Sequence, residues 1–341
     1  MKITFILPGG GVSGGVRVTV AAANHLIKRG HKVRVLVRGI PGTRAIFRQL
    51  KNYITGSSHS WIEDYIGQSE GFKRIDQCKF EKGEIIVGVG SYVSDEMVRL
   101  RSLSNPKIHY LHGVTSWDPE LMKYTLGLPI PKIAVASYIK PLVESAGGGE
   151  VVAIIPNGLD QNEYYNSVGE SEKDGVGTIY SSQVPKDPKT IIACIQKFSK
   201  KRPDVPARIF GTETKPQGLG GQAFYKRLPS VEQARDLYSK SLVWIMASKS
   251  EGFSVPTLEA MACGAVPVVT DCGGTRDIIV DGENGFLVEV GNVEQILDRV
   301  MLLLDDSVLR ERMRARGEAT VDKFSWEKSI DQLEDVLKKL S

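Results

Sequence analysis

At 341 residues the chain exceeds one ordinary domain, and a prior of about 100–200 residues per domain points to two. Hydrophobic residues make up 41% and charged residues 25%, values that exclude wholesale disorder, and no apolar run approaches the roughly 20 residues of a membrane span. The net charge of +4 is uneven: residues 1–62 hold ten Lys/Arg and no Asp or Glu, which leaves 34 bases against 40 acids in the rest. Such a basic segment suits an anionic partner: phospholipid, a phosphorylated substrate or nucleic acid. Cys78, Cys194, Cys263 and Cys272 form no CxxC pair and none has a His at zinc spacing. A disulfide framework and a structural zinc are therefore not expected, and a reducing cytoplasm is.

In chain order, Lys2–Pro8 reads as a buried strand rather than a signal segment, its apolar run being too short for one. Residues 9–15 (GGGVSGG) form a loop, and Val16–Arg29 spaces Val16, Val20, Ala23 and Ile27 as one helix face, with Gly30 as its stop. Lys32–Val37 alternates as a second strand, completing a βαβ opening and hence a parallel α/β sheet. Further strands are expected at 84–89, 107–111, 132–136 and 151–155. Residues 157–177 are polar and Gly-rich with few core candidates and read as a linker. A second α/β series follows, with strands at 177–181, 207–210, 242–246, 266–270 and 286–288 and helices at 188–200, 231–240 and 255–263. After 292 the pattern is helical, broken near Phe324. Two Rossmann-like halves should hold a ligand at the carboxyl ends of their strands, in an interdomain cleft.

Gly9, Gly11 and Gly14 match G-x-G-x-x-G between a strand and a helix. Dinucleotide binding also needs an acid about 20 residues on. The first acid is Glu63, so NAD fits poorly, although Arg38 could meet the extra phosphate of NADP. The general physics survives: five glycines in seven residues let backbone approach a ligand closely, before a helix N-terminus that offers N–H groups to an anion.

The most informative stretch is Ser248–Asp277. A strand delivers a loop with Glu251 and Gly252; Pro256 suits the first turn of a helix, Glu259 lies about one turn inside it, and Gly264 stops it. Free amides at that helix start could hold a diphosphate, with a carboxylate on either side to accept hydrogen bonds from sugar or ribose hydroxyls.

The E-x7-E spacing within EGFSVPTLEAMACGAVPVV resembles the retaining glycosyltransferases of family 4, which have the GT-B fold. GGVSGG, HYLHG (109–113), IPNGLD (155–160), DGENGFLV (281–288) and FSW (324–326) resemble further markers of that family. The resemblance implies an N-terminal Rossmann-like domain at 1–158 on the acceptor side, a donor-binding Rossmann-like domain at 159–323, and a C-terminal helix (324–341) that returns to the N-domain. It implies that Glu251 contacts donor-sugar hydroxyls, that Glu259 contacts the ribose, and that the Gly252 and Phe253 backbone borders the diphosphate. It sets Gly14 and Gly15 against the diphosphate from the other domain and His112 by the transferred sugar. His109 alternates into a strand and reads as packing.

One departure stands out. The family places an Arg and then a Lys after the first C-domain strand, whereas TIYSSQVPKDPKT offers Gln183 or Ser182, then Lys186 or Lys189. Lys186 is taken as donor-binding, with Arg17 and Arg276 as other cations that could reach in. No metal and no cofactor beyond the nucleotide-sugar co-substrate is expected, because no D-x-D occurs. The expected partners are a nucleotide-sugar donor and an acceptor glycan or lipid-linked sugar, without nucleic acid, in cell-surface glycan or glycolipid assembly. Residues 40–62 space Arg44, Arg48 and Lys51 at i, i+4, i+7 beside Phe47 and Leu50, which suits an anionic membrane surface and a peripheral place on its cytoplasmic face. Other readings are a nucleotide-sugar epimerase or hydrolase and a non-catalytic binding protein on the same fold.

Overall fold

The computed structural model describes residues 1–11, 13–39, 61–114, 118–220 and 223–340. The chain divides into two compact α/β units: Met1–Asn157 together with Trp326–Ser341, and Gly158–Ser325.

The strands of the first unit are β1 (Lys2–Leu7), β2 (Lys32–Arg38), β3 (Gln68–Phe72), β4 (Ile85–Val89), β5 (Lys107–Leu111), β6 (Lys132–Ala134) and β7 (Val151–Ile154). They form one sheet in the order β3-β2-β1-β4-β5-β6-β7, each neighbouring pair parallel. In β1, Ile3, Phe5, Ile6 and Leu7 are all buried, as in a parallel sheet covered on both faces. Helix α1 (Gly14–Lys28) begins two residues before the expected Val16, because Ser13 caps it by accepting from the Val16 N–H at 3.4 Å. Shorter helices α2 (Ser94–Arg99), α3 (Pro119–Gly127) and α4 (Ile139–Ser145) follow. Among the described residues, the last helix of this unit is Trp326–Leu340. Its apolar face buries Ile330, Leu333 and Leu337, while Arg29 pairs with Asp331 at 2.6 Å and Glu334 at 2.9 Å. His31 also meets Glu334 at 2.7 Å, and the Ser329 hydroxyl donates to the Pro156 carbonyl at 2.7 Å.

The second unit has β8 (Gly175–Tyr180), β9 (Ala207–Gly211), β10 (Phe224–Arg227), β11 (Ser241–Met246), β12 (Val266–Thr270) and β13 (Phe286–Val288). Their order is β10-β9-β8-β11-β12-β13, again with parallel neighbours. Its helices are α5 (Pro188–Lys201), α6 (Val231–Ser239), α7 (Val255–Ala262), α8 (Val293–Asp305) and α9 (Ser307–Val321), which makes Trp326–Leu340 α10. Trp244, Tyr238 and Phe198 are fully buried in this unit.

Two sequence expectations need correction, and a third lies outside the described residues. Residues 157–177 are not a loose linker: Asn157, Leu159, Tyr164, Lys173 and Val176 are buried, and β8 starts within the stretch at Gly175. Tyr164 packs edge-on to Tyr238, and the Leu159 N–H donates to the Phe324 carbonyl at 2.8 Å. The buried Lys173 ammonium donates to Ser239 O at 2.7 Å and Cys263 O at 3.1 Å, so a polar residue serves as a helix-end clamp. Strands β3 and β10 were not anticipated, because both are edge strands with mostly polar, partly exposed side chains (QSEGF, FYKR). The amphipathic segment anticipated over 40–62, with Arg44, Arg48 and Lys51, lies outside the described residues except for Trp61 and Ile62.

In each sheet the strand order reverses at its centre, between β1 and β4 in the first and between β8 and β11 in the second. Such switch points open a crevice beyond the strand carboxyl ends.

Candidate active site

The switch point of the second unit carries most of the predicted residues. Beyond β8 the chain runs through Gln183 and Lys186; beyond β11 it runs through Ser248 to Ser254. The two loops are tied by backbone, since the Pro185 carbonyl accepts from the N–H of Lys249 at 2.7 Å and of Ser250 at 3.3 Å. The Lys186 ammonium then reaches Glu251 Oε1 at 2.6 Å. The Ser248 hydroxyl donates to the same oxygen at 2.6 Å. Ser248 is itself fixed, its carbonyl accepting from the Thr270 hydroxyl at 2.5 Å. Glu251 is buried to 6% exposure while Lys186 stays partly open. With Oε1 doubly engaged, Oε2 is the oxygen left to accept from a ligand hydroxyl.

Backbone strain brackets this cluster. Asp187 (φ +44°) and Ser254 (φ +68°) are two of the three non-glycine residues with left-handed φ among those described. Such conformations cost about 1–3 kcal/mol each and gather at functional sites. Gly274 makes a close approach: its N–H donates to the Glu251 carbonyl at 3.0 Å, and a Cβ there would lie 2.3 Å from Gly252 O. Phe253 turns its ring inward against Phe324, with centroids 5.5 Å apart, so only its backbone borders the loop surface.

Glu259, in α7, is 3% exposed and accepts from the Tyr238 hydroxyl of α6 at 2.8 Å. Burial, reinforced by Glu259 itself, pushes the Tyr238 phenol well above its ordinary range, so it stays protonated and donates. The sequence signalled Glu259 but not its tyrosine partner, because α6 and α7 meet only in the fold.

The cation question also takes a definite form. Gln183 is exposed and carries no charge. The adjoining Ser182 N–H donates to the Glu213 carboxylate at 3.0 and 3.2 Å, so an acid holds the amide where the resemblance implies an arginine. Arg276 is paired with Asp271, and the Arg17 guanidinium stacks over Trp61 at 5.2 Å. Lys186 is thus the cation beside Glu251 among the described residues.

In the first unit, His112 follows β5 and stacks at a tilt on Tyr110, with ring centroids 4.3 Å apart. A Cβ on Gly15 would lie 3.9 Å from the His112 Cβ, and Thr19 Oγ1 lies 3.5 Å from His112 Nε2, so the glycine loop and the histidine are neighbours. Burial pushes His112 down to about 4, against an opposing effect of the Asn157 side chain, so the ring is neutral at pH 7. His109 is fully buried in β5 with Nε2 at 2.7 Å from the Gly90 carbonyl, and burial pushes it down to about 4 as well. Gly9, Gly11 and Gly14 have φ outside the left-handed region, and a Cβ on any of them would meet nothing within 4 Å. Neither turn geometry nor packing among the described residues demands glycine there.

Residues 160–320 match the family model described as glycosyl transferases group 1. A glycosyltransferase of Methanocaldococcus jannaschii is 31% identical over 112 residues, 33% of this chain and 32% of that protein, so the alignment spans about a third of the relative. One of Haemophilus influenzae is 23% identical over 358 residues, covering 98% of this chain and 99% of that protein. Among solved structures, Anabaena HepE in complex with UDP superposes with a TM-score of 0.78 at 17% identity, over 100% of both chains. The fold is GT-B. No described helix is long and apolar enough to cross a membrane.

Proposed function

We propose that the chain is a retaining, metal-independent glycosyltransferase of the family 4 kind, a hexosyltransferase that moves a sugar from a nucleotide-sugar donor to an acceptor in cell-surface glycan or glycolipid assembly. The observation that carries this reading is the Lys186–Glu251–Ser248 cluster at the second unit's switch point, inside the region matched by the family model. In this reading Glu251 Oε2 accepts from donor-sugar hydroxyls. The Lys186 ammonium and the amides of Gly252 and Phe253, at the start of α7, meet the diphosphate and offset the charge that grows as it leaves. Glu259, kept in place by Tyr238, takes the ribose diol. His112 is neutral and serves by hydrogen bonding rather than by charge, with Gly14 and Gly15 beside it.

The test is thermal unfolding with UDP, GDP, ADP and dTDP, then transfer from the matching nucleotide sugar with the product anomer read by NMR. A ligand of the folded state raises stability by mass action. A shift with at least one nucleotide and a product of retained configuration are expected; no shift with any of them, or an inverted anomer, would overturn the reading.

The acid-free basic residues 1–62 support peripheral contact with an anionic membrane. Co-sedimentation with anionic vesicles should be lost in an Arg44/Arg48/Lys51→Glu variant; equal pelleting with neutral vesicles would end that part of the proposal. A non-catalytic binding protein is the second reading, favoured by Glu213 on the Ser182 amide. Nucleotide binding without donor hydrolysis or transfer would select it.

A further inference from the structure

Two loops frame the Lys186–Glu251 pair, and a second ion pair joins them in the opposite sense. Beyond β8 the chain places Lys186 and then Asp187; beyond β11 it places Lys249 and then Glu251. Lys186 crosses to Glu251 at 2.6 Å, and Lys249 crosses back to Asp187 Oδ1 at 3.6 Å. Each loop gives one cation and receives one.

Asp187 keeps its position against two penalties. Its φ of +44° is left-handed, a conformation that glycine adopts without steric cost. Its carboxylate is also withdrawn from water, the residue being 4% exposed. Nor does that carboxylate cap the backbone of α5, which begins at the next residue. Oδ2 accepts from the Thr190 hydroxyl at 2.8 Å, and Oδ1 faces the half-exposed Lys249. Glycine would satisfy the turn; the acid adds a tie to the other loop.

That tie bears on Lys186. Before it in the chain, the Pro185 carbonyl is held by the N–H groups of Lys249 and Ser250. After it, Asp187 is held by the Lys249 side chain. Within the turn, the Lys186 N–H donates to the Gln183 carbonyl at 2.9 Å and the Asp187 N–H to the Val184 carbonyl at 3.2 Å. The Lys186 backbone is thus clamped on both sides by the loop that carries Glu251, while its ammonium stays partly exposed. An ammonium that turns towards a phosphate gives up part of its hold on Glu251; the Asp187–Lys249 pair gives up nothing.

We infer that Asp187 and Lys249 are positioning residues, a second clasp that keeps the two loops in register when a phosphate ligand draws Lys186 away from Glu251. The inference rests on the transferase reading and adds to it two residues that act through Lys186 and Glu251.

Calorimetric titration of the full chain with UDP, GDP, ADP and dTDP tests it, alongside thermal unfolding without nucleotide. Asp187→Asn and Lys249→Met should each weaken the best-bound nucleotide about fivefold, and the double variant should lose no more, because each change removes the same pair. Lys249→Arg should bind as the wild type does. Asp187→Gly relieves the left-handed strain, so it should keep the wild-type unfolding temperature yet bind as weakly as Asp187→Asn. Unchanged affinity in Asp187→Asn or Lys249→Met, losses that add in the double variant, weak binding by Lys249→Arg, or an affinity loss in Asp187→Gly matched by early unfolding would each overturn the inference. If the wild type binds a nucleotide and the variants fail these expectations, the clasp alone falls. If the wild type binds none, the transferase reading falls first and the clasp with it.

Discussion

The two α/β units open a crevice at equivalent places, where the strand order reverses, and furnish it in opposite ways. In the second unit the crevice is wired: Lys186 and Ser248 bind the Glu251 carboxylate, Thr270 and the Pro185 carbonyl fix the loop that carries it, and left-handed Asp187 and Ser254 lie close by. In the first it is bare: Gly9, Gly11 and Gly14 have open space where side chains would be, and the histidine beside the loop is neutral. Charge that must sit at one point is held by protein groups that do not reorganise, while an open backbone surface takes its shape from missing side chains.

The sharpest way to break this contrast is Glu251→Ala, which should cut kcat by about 10³-fold in a donor-saturated assay while the fold survives. Near-wild-type turnover would mean that the wired crevice is only structural. Next comes acid stability. His109 is depressed from its ordinary 6.5 to about 4, so its contribution is full above pH 6.5 and is lost as pH falls towards 4, where the unfolded chain binds the proton first. Urea unfolding at pH 7 and pH 4.5 should differ by about 2 kcal/mol on account of this residue, with His112 adding in the same direction. A His109→Asn variant with an unchanged pH slope would refute it. His112→Ala should cost about 10²-fold in kcat; a loss confined to stability would place the ring among packing residues. Tyr238→Phe and Glu259→Ala should each raise donor KM about tenfold with a smaller effect on kcat. A pure kcat loss would put Glu259 at the reacting sugar instead. The smallest effect is the expected absence of one: activity should persist in EDTA, and its loss with restoration by Mg²⁺ would show that Lys186 and the loop amides do not suffice.

Much of this was legible in the sequence where the physics is local. Mostly apolar runs such as KITFIL and VPVVT, helix periodicity and glycine stops located the central strands and most helices. The E-x7-E spacing located Glu251 and Glu259. What escaped depends on non-local contacts. Lys173 reads as linker polarity, and only the meeting of two helix ends explains its burial. Tyr238 gains its meaning from Glu259 on another helix, 21 residues away, and Ser248 is fixed by Thr270 of β12, 22 residues away. Edge strands β3 and β10 lack an apolar signal because one margin of each faces no neighbouring strand among the described residues. The positive φ of Asp187 is also invisible in Lys186-Asp187-Pro188, which reads as an ordinary helix start.

Helix α10 belongs to the first unit although the whole second unit precedes it in the chain. During synthesis, residues 158–325 are therefore available as one uninterrupted segment before the partners of Arg29 and His31 on α10 have been made. Domains fold as they emerge, at about 5–20 residues per second, so the nascent first unit waits on the order of ten seconds or more with the α1 surface lacking its cover. The later-encoded unit is then the one that can be complete first, and the earlier-encoded one is the part a ribosome-bound chaperone would have reason to shield.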